Sequence, residues 1–274
     1  MAGYGKTPAS IALVFATKFP LAVLNGISMS IKSSIKWAIN KLGFEIYRIY
    51  GFNDKNYEKI VPNATYAPWN KDDAFSTTYE AIKKFTYVDK YKCFGLWALV
   101  EQCAKLESGS IIEIGVWRGG SGALMAKQAS NCGISDSVYL CDTFTGVVKA
   151  GPEDSDYKGG EHSDTSRKIV EDLVFEKMHL DNVKILKGIF PDDTSHEVEN
   201  EKFRFCHIDV DVYQSAEDIV DWIWPRMVHG GIIVYDDYGF QGLDGITKHV
   251  EAQMSCKDRL VIHNLNGHAI IIKL

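Results

Sequence analysis

From Ser110 to the C-terminus the chain cycles through short, almost wholly apolar runs: SIIEIGV, SVYLCDT, VKILKG, FRFCHID and GGIIVYDD. Stretches of helical character separate them. A strand with one face in water alternates apolar and polar residues, and these runs do not, so both of their faces must be covered. Continuous apolar strands alternating with helices define a parallel sheet between two helical layers. Two further runs, LVIHNL and AIIIKL, lie little more than Asn266-Gly267 apart. That dipeptide favours the type I′ turn of a hairpin. The expected fold class is α/β, a doubly wound and mostly parallel sheet of seven strands closed by a C-terminal antiparallel hairpin.

Such a hairpin sets the sheet apart from the two similar parallel halves of a dinucleotide-binding fold. It suits the Rossmann-like class I methyltransferases. The first hundred residues read differently, with helical periodicity at Ile31, Ile35, Ala38, Ile39 and Leu42 ahead of Gly43, and a loop over 53–73. We expect a mainly helical N-terminal extension or lid over 1–84 and the sheet domain over 85–274.

Residues 8–31 are apolar enough to suggest a signal or a membrane span. Lys18 and Pro20 interrupt them, however, and no small-residue cleavage site stands out. A cytoplasmic protein is expected, its N-terminal helix serving self-association into a homo-oligomer, with membrane contact left open. With 46% hydrophobic residues the chain can bury a sizeable core, while a formal net charge of -6 argues against nucleic-acid or anionic-membrane binding. A small-molecule partner fits better. The six cysteines form no CxxC pair, and Cys141 and Cys206 fall inside strand-like runs, so buried, reduced thiols are expected.

The turn after the first strand, EIGVWRGGSGALM, opens a helix, which is where such sheets bind nucleotide-like ligands. It supplies Glu113, Gly115, Trp117, Gly119 and Ser121 as candidate cofactor contacts. The G-x-G-x-x-G spacing is absent, consistent with a cofactor lacking a pyrophosphate. The alternative is that the glycines only permit close packing of helix on strand. Asp142 ends the second strand, where a carboxylate can accept both ribose hydroxyls or instead cap a helix. After the third strand, Gly188, Ile189 and Phe190 are placed to line an adenine slot.

The most demanding feature is HIDVDVY at 207–213, read as a strand whose two-residue spacing points Asp209 and Asp211 the same way. The fifth strand brings Asp236 and Asp237 alongside in YDDYG. Like charges within about 4 Å repel by several kcal/mol at a protein-like effective dielectric. Unless the cluster is a solvated acidic loop, a hard divalent cation neutralises it, and oxygen-only ligands favour Mg²⁺ over zinc.

With these residues in view, the chain from about Phe85 onward resembles the macrocin O-methyltransferase family of sugar-modifying enzymes. The phrases that carry the resemblance are IEIGVWRGG, CDTFTG, LKGIFPDD, HIDVDVY and VYDDYG. The resemblance implies S-adenosyl-L-methionine as methyl donor and a Mg²⁺ site made by Asp209, Asp236 and Asp237, with Asp211 as general base. Catechol methyltransferases place a lysine three residues after the first metal aspartate. Here Val212 stands there. The family's DGD centre reads DVD, with Val210 adding bulk.

His162, in the loop PEDSDYKGGEHSDTS, is a candidate for touching the acceptor, its alternative being an ordinary loop histidine. The expected reaction is methyl transfer to one hydroxyl of a vicinal diol on a sugar or glycosylated natural product. Two rivals are kept. A nicotinamide-dependent oxidoreductase would use the Tyr-x-x-x-Lys match at Tyr79 and Lys83, and a non-catalytic scaffold would keep the fold without turnover.

Overall fold

The computed structural model describes residues 37–39, 41–42, 56–61 and 64–274. The chain divides into two compact units, Met1–Lys59 and Ile60–Leu274. In the first, residues 37–39 and 41 are helical, within the stretch read as helix from its periodicity. The apolar run at 8–31 lies outside the described residues. Among those described, no helix is long and apolar enough to cross a membrane.

The second unit begins with two helices, α1 (Asp73–Ile82) and α2 (Lys90–Cys103). Each is started by a side chain that satisfies free N–H groups of the first turn. Asp72 accepts from Phe75 N, and Asp89 from Tyr91 N and Lys92 N. Then follow β1 (Ser110–Ile114), α3 (Gly120–Asn131), β2 (Val138–Asp142), α4 (Arg167–Glu171) running into a π-helical turn, and β3 (Val183–Lys187). The second half contributes β4 (Phe203–Ile208), α5 (Tyr213–Ile223), β5 (Met227–Tyr235), α6 (Asp244–Gln253), β6 (Arg259–His263) and β7 (Ala269–Lys273).

The strands form one seven-stranded sheet in the order β3-β2-β1-β4-β5-β7-β6. β1 to β5 pair in parallel, and β7 is antiparallel to both β5 and β6. All seven apolar runs of the sequence are therefore strands. Successive residues of β1 face opposite layers, as the pleat requires. Ile111 packs with α1, α2 and α3 in one core, and Ile112 packs with α5 and α6 in the other.

Two local expectations are corrected. His263 pairs with Ala269, so residues 264–268 make the β6–β7 connection, with Leu265 and Gly267 at positive φ. Asn264 explains the longer loop, because its side-chain oxygen accepts from Asn266 N and His268 N and organises the turn in place of a type I′ pair. HIDVDVY is also not one strand: β4 ends at Ile208, and Asp211 takes a left-handed φ of 66°. The chain reverses there instead of alternating.

Candidate active site

The sheet order changes direction between β1 and β4, and a cleft opens beyond the C-terminal ends of those strands. Gly115 fits the crossing point. Its φ is +87°, and a Cβ there would lie 1.7 Å from the carbonyl oxygen of Asp209. The turn after β1 is stitched to its neighbours by Gly115 N donating to Cys141 O (3.0 Å) and Asp209 N donating to Ile114 O (2.9 Å). The cavity is lined from this turn by Gly115, Trp117 and Ser121, from β2 by Asp142, and after β3 by Gly188, Ile189 and Phe190. Asp209, Asp211, Asp236, Asp237 and His162 line the same cavity.

Glu113 and Gly119 do not line it. Gly119 is the N-cap of α3. Glu113, grouped by sequence with the cofactor turn, is wholly buried on the sheet face that carries α2 and α3, and its Oε1 lies 2.8 Å from Nδ1 of the equally buried His207. α3 passes close enough that a Cβ on Gly122 would sit 2.4 Å from Glu113 Oε2. The reason is register, since Glu113 and His207 are neighbours across β1 and β4.

Asp142 is already engaged. Its Oδ2 accepts from Val116 N (2.7 Å) and Trp117 N (2.8 Å), and its Oδ1 from Phe144 N (2.6 Å). Oδ2 thereby uses both of its lone pairs, and Oδ1 keeps one. Trp117, at φ 47°, stacks on Tyr87 with ring centroids 4.1 Å apart. Tyr87 is 70% exposed and lines the cavity, whereas Trp69, Phe75 and Tyr79 pack in or against the core. Tyr79 and Lys83 are absent from the lining, Lys83 pairing with Glu80 on the surface. The oxidoreductase reading loses its signature.

The segment between β2 and α4, residues 143–166, closes over one side. It is tied down at several points: Ser215 Oγ donates to Val148 O (3.0 Å), Tyr213 N to Asp154 Oδ1 (2.9 Å), and Trp117 Nε1 to Asp164 Oδ1 (2.9 Å). Tyr157 and His162 project from it into the cavity, with Tyr157 Oη 3.1 Å from His162 Nε2. Tyr157 also bears on Asp211, drawing the pKa of its carboxyl down.

The four aspartates do not act as one group. Oxygens of Asp209, Asp211 and Asp237 lie within 4.8 Å of one another, each residue half-buried and open to the cavity. Burial, and then the charges of neighbouring aspartates, push Asp209 and Asp237 well above the usual carboxylate range. Burial raises Asp211 as well, against the opposing pull of Tyr157 and His162. A crowd of carboxylates whose charges raise one another's pKa is short of positive charge, and that is the condition a hard cation relieves. The donor set fits Mg²⁺.

Asp236 is turned away from them. Its Oδ2 is ion-paired with Lys92 Nζ, and its Oδ1 accepts from His268 Nε2 (2.9 Å). His207 Nε2 stands 3.6 Å from the same oxygen, an electrostatic contact too long for a hydrogen bond. Burial alone would raise Asp236, but the two histidines and Lys92 outweigh it and hold the carboxyl well below its ordinary value. For His207, burial lowers the pKa while Asp236 and Glu113 raise it further, to about 9. In this structure Asp211 lies with Asp209 and Asp237, while Asp236 faces Lys92, His207 and His268.

Sequence reasoning missed Lys92, Tyr157, the stacking of Tyr87 on Trp117 and the Glu113–His207–His268 network. Lys92 did carry a signal, for it stands in the apolar stripe Lys92, Leu96, Val100 and Cys103 of α2, all buried. A lysine in such a stripe needs a partner.

The model of the macrocin-O-methyltransferase (TylF) family matches residues 85–262. The 8-demethyl-8-(2,3-dimethoxy-alpha-L-rhamnosyl)-tetracenomycin-C 4'-O-methyltransferase of Streptomyces olivaceus is 30% identical over 139 residues, which is 47% of this chain and 53% of that protein. Mycinamicin III 3''-O-methyltransferase of Micromonospora griseorubida is 28% identical over 142 residues, 47% of this chain and 55% of that protein. The chain spans about half the length of the curated relatives it matches. Among solved structures, the O-methyltransferase NovP aligns with a TM-score of 0.53 at 22% identity, over 65% of this chain and 78% of that one. A caffeoyl-CoA O-methyltransferase assignment from Staphylococcus aureus gives 0.54 at 15% identity, over 75% and 94%. These likenesses show the class I methyltransferase fold. By the family match, which takes in more than half of its residues, the chain belongs to the macrocin-O-methyltransferase (TylF) family.

Proposed function

We propose that the chain is an O-methyltransferase that moves the methyl group of S-adenosyl-L-methionine to one hydroxyl of a vicinal diol, on a sugar or a glycosylated natural product, with Mg²⁺ at the acidic cluster. The observation that carries this reading is the convergence of Asp209, Asp211 and Asp237 on the cavity lined by the turn between β1 and α3. One site thus offers both a place for a donor and a place for a hard cation. The name of one relative points the same way, a 4'-O-methyltransferase of a rhamnosyl-tetracenomycin.

When bound, S-adenosyl-L-methionine supplies an activated methyl on a sulfonium. Mg²⁺ supplies a Lewis acid that lowers the pKa of a hydroxyl, with Asp209 and Asp237 as its holders. The chain's own residues do the rest. The N–H groups at the start of α3 and the Ser121 hydroxyl offer donors to a carboxylate. The spare lone pair of Asp142 Oδ1 accepts from a ribose hydroxyl, and Gly188, Ile189 and Phe190 form an apolar slot for the base. Asp211 takes the acceptor's proton. Its burial raises its affinity for that proton, against the opposing pull of Tyr157 and His162, which contact each other across the same cavity. Such proton transfer typically contributes about 10²- to 10⁴-fold. The Tyr87–Trp117 stack gives the acceptor ring a flat apolar wall.

The same reading places the protein in the cytoplasm as a homo-oligomer and assigns 1–84 as the extension beside a catalytic domain at 85–274. Fractionation, light scattering and limited proteolysis check these in turn. The activity itself is tested by transfer of labelled methyl from S-adenosyl-L-methionine to a panel of glycosides. Turnover should vanish in chelator and return with Mg²⁺. Full-rate methylation by metal-free protein would refute the reading.

A further inference from the structure

The stretch 146–150, which follows β2, has no regular secondary structure, yet Val147 and Val148 line the same cavity as Ile189 and Phe190 after β3 and Ile219 on α5. Lys149 joins these three elements. Its ammonium, 21% exposed, is held by Asp192 Oδ2 (2.7 Å) from the loop after β3 and by Asp218 Oδ2 (2.6 Å) from α5. Gln214 Nε2 donates to the other oxygen of Asp218 at 2.8 Å, which orients that carboxylate. Lys149 reaches this position with a left-handed φ of 60°. A residue with a side chain keeps such a backbone only where its surroundings over-determine it.

Of the three walls, the strap at 146–150 is the one that can part from the others. The main-chain bonds of Val147 to Gly160 and Glu161 stay within the segment 143–166. Among the described residues, the strap has two polar ties to other elements: the bond from Ser215 Oγ to Val148 O (3.0 Å) and the double ion pair of Lys149. Lys149, Asp192 and Asp218 do not line the cavity, so the strength of their tie does not depend on what the cavity holds.

We propose that Lys149 is a positioning residue that latches the strap 146–150 across the donor's base slot and so sets the rate at which the donor enters and its demethylated product leaves. This rests on the reading that S-adenosyl-L-methionine binds in that slot. A latch that holds equally with the slot full or empty lowers the open population in both states by the same factor. Entry and exit are slowed together, and the affinity is untouched.

The experiment is stopped-flow binding of S-adenosylhomocysteine to the full chain, followed by tryptophan fluorescence, since Trp117 lines the cavity. Two partly exposed ion pairs correspond to about a two- to thirtyfold change in the open population. In Lys149→Met, association and dissociation should therefore both speed up by at least about twofold, while Kd stays within about twofold of wild type. The probe carries no net charge, so its encounter with the protein is insensitive to salt. Raising the ionic strength from roughly 0.05 to 0.5 M should speed both wild-type rates and leave those of Lys149→Met unchanged.

Rates that move by less than about twofold in folded Lys149→Met overturn the proposal. So does a rise confined to dissociation, which would make Lys149 an ordinary support of the bound donor, and so does equal salt dependence in wild type and variant. Where Lys149→Met does not fold, the double variant Asp192→Asn/Asp218→Asn opens the same latch from the other side and is read by the same criteria. Wild-type protein that takes up no S-adenosylhomocysteine at millimolar concentration instead defeats the donor reading, and the inference goes with it.

Discussion

Replacing Gly115 with alanine probes the point where the cofactor turn and the acidic cluster meet. The added Cβ would fall 1.7 Å from Asp209 O, so one of the two backbones must give way by more than an ångström. Neither is free to do so, because Ile114 O holds Asp209 N at 2.9 Å and Cys141 O holds Gly115 N at 3.0 Å. The left-handed φ of +87° adds a second cost. An L-residue there loses about 1–2 kcal/mol, and forcing atoms into a packed site typically costs about 1–3 kcal/mol more. The sum, about 2–5 kcal/mol, should lower the melting temperature by roughly 4–20 °C in a unit of this size. Scanning calorimetry reads this directly, with Mg²⁺ titration as a second measure, since displacing Asp209 should weaken the cation as well. A fall of less than about 2 °C with unchanged cation affinity would refute the reasoning, because the steric argument allows no such outcome.

Asp211→Asn should lower turnover by about 10²- to 10⁴-fold and leave binding of S-adenosylhomocysteine near wild type, and equal losses in both would show that the residue serves the fold and not the proton. His249 makes a pH-dependent contribution to stability. It is buried against Tyr235 Oη at 3.0 Å, and burial lowers its pKa to about 4. The unfolded chain binds that proton near pH 6.5, so the contribution is complete above this value and is lost as the pH falls toward 4. The loss is about 3 kcal/mol. Denaturant titrations at a series of pH values should show the wild-type slope and its absence in His249→Phe, and parallel curves would count against it.

The sheet was legible because five runs between Ser110 and Asp237 are apolar on both faces, a pattern that few arrangements other than a covered parallel sheet accommodate. The acidic cluster was legible too, since carboxylates at the ends of two apolar runs are rare without a reason. Their division was not. Val210 extends the apolar pattern past the true end of β4, so Asp209 and Asp211 looked like strand residues when a left-handed Asp211 brings them together. Glu113 was misjudged because its partner depends on the register between β1 and β4, which no local pattern encodes. Lys92 acts across 144 positions of sequence and is visible only as a misfit in the stripe of α2.

The excursion between β2 and α4 has a bearing on how such a protein changes its clientele. It carries Tyr157 and His162, yet it contributes none of the three converging aspartates. Its moorings are side chains meeting main chain at Val148 and Tyr213 and side chain meeting side chain at Asp164. Such a segment behaves as an exchangeable cassette. Grafting the matching stretch from a relative, with Tyr157 and His162 kept, should import that relative's taste in acceptors while the methyl-transfer engine beneath runs as before.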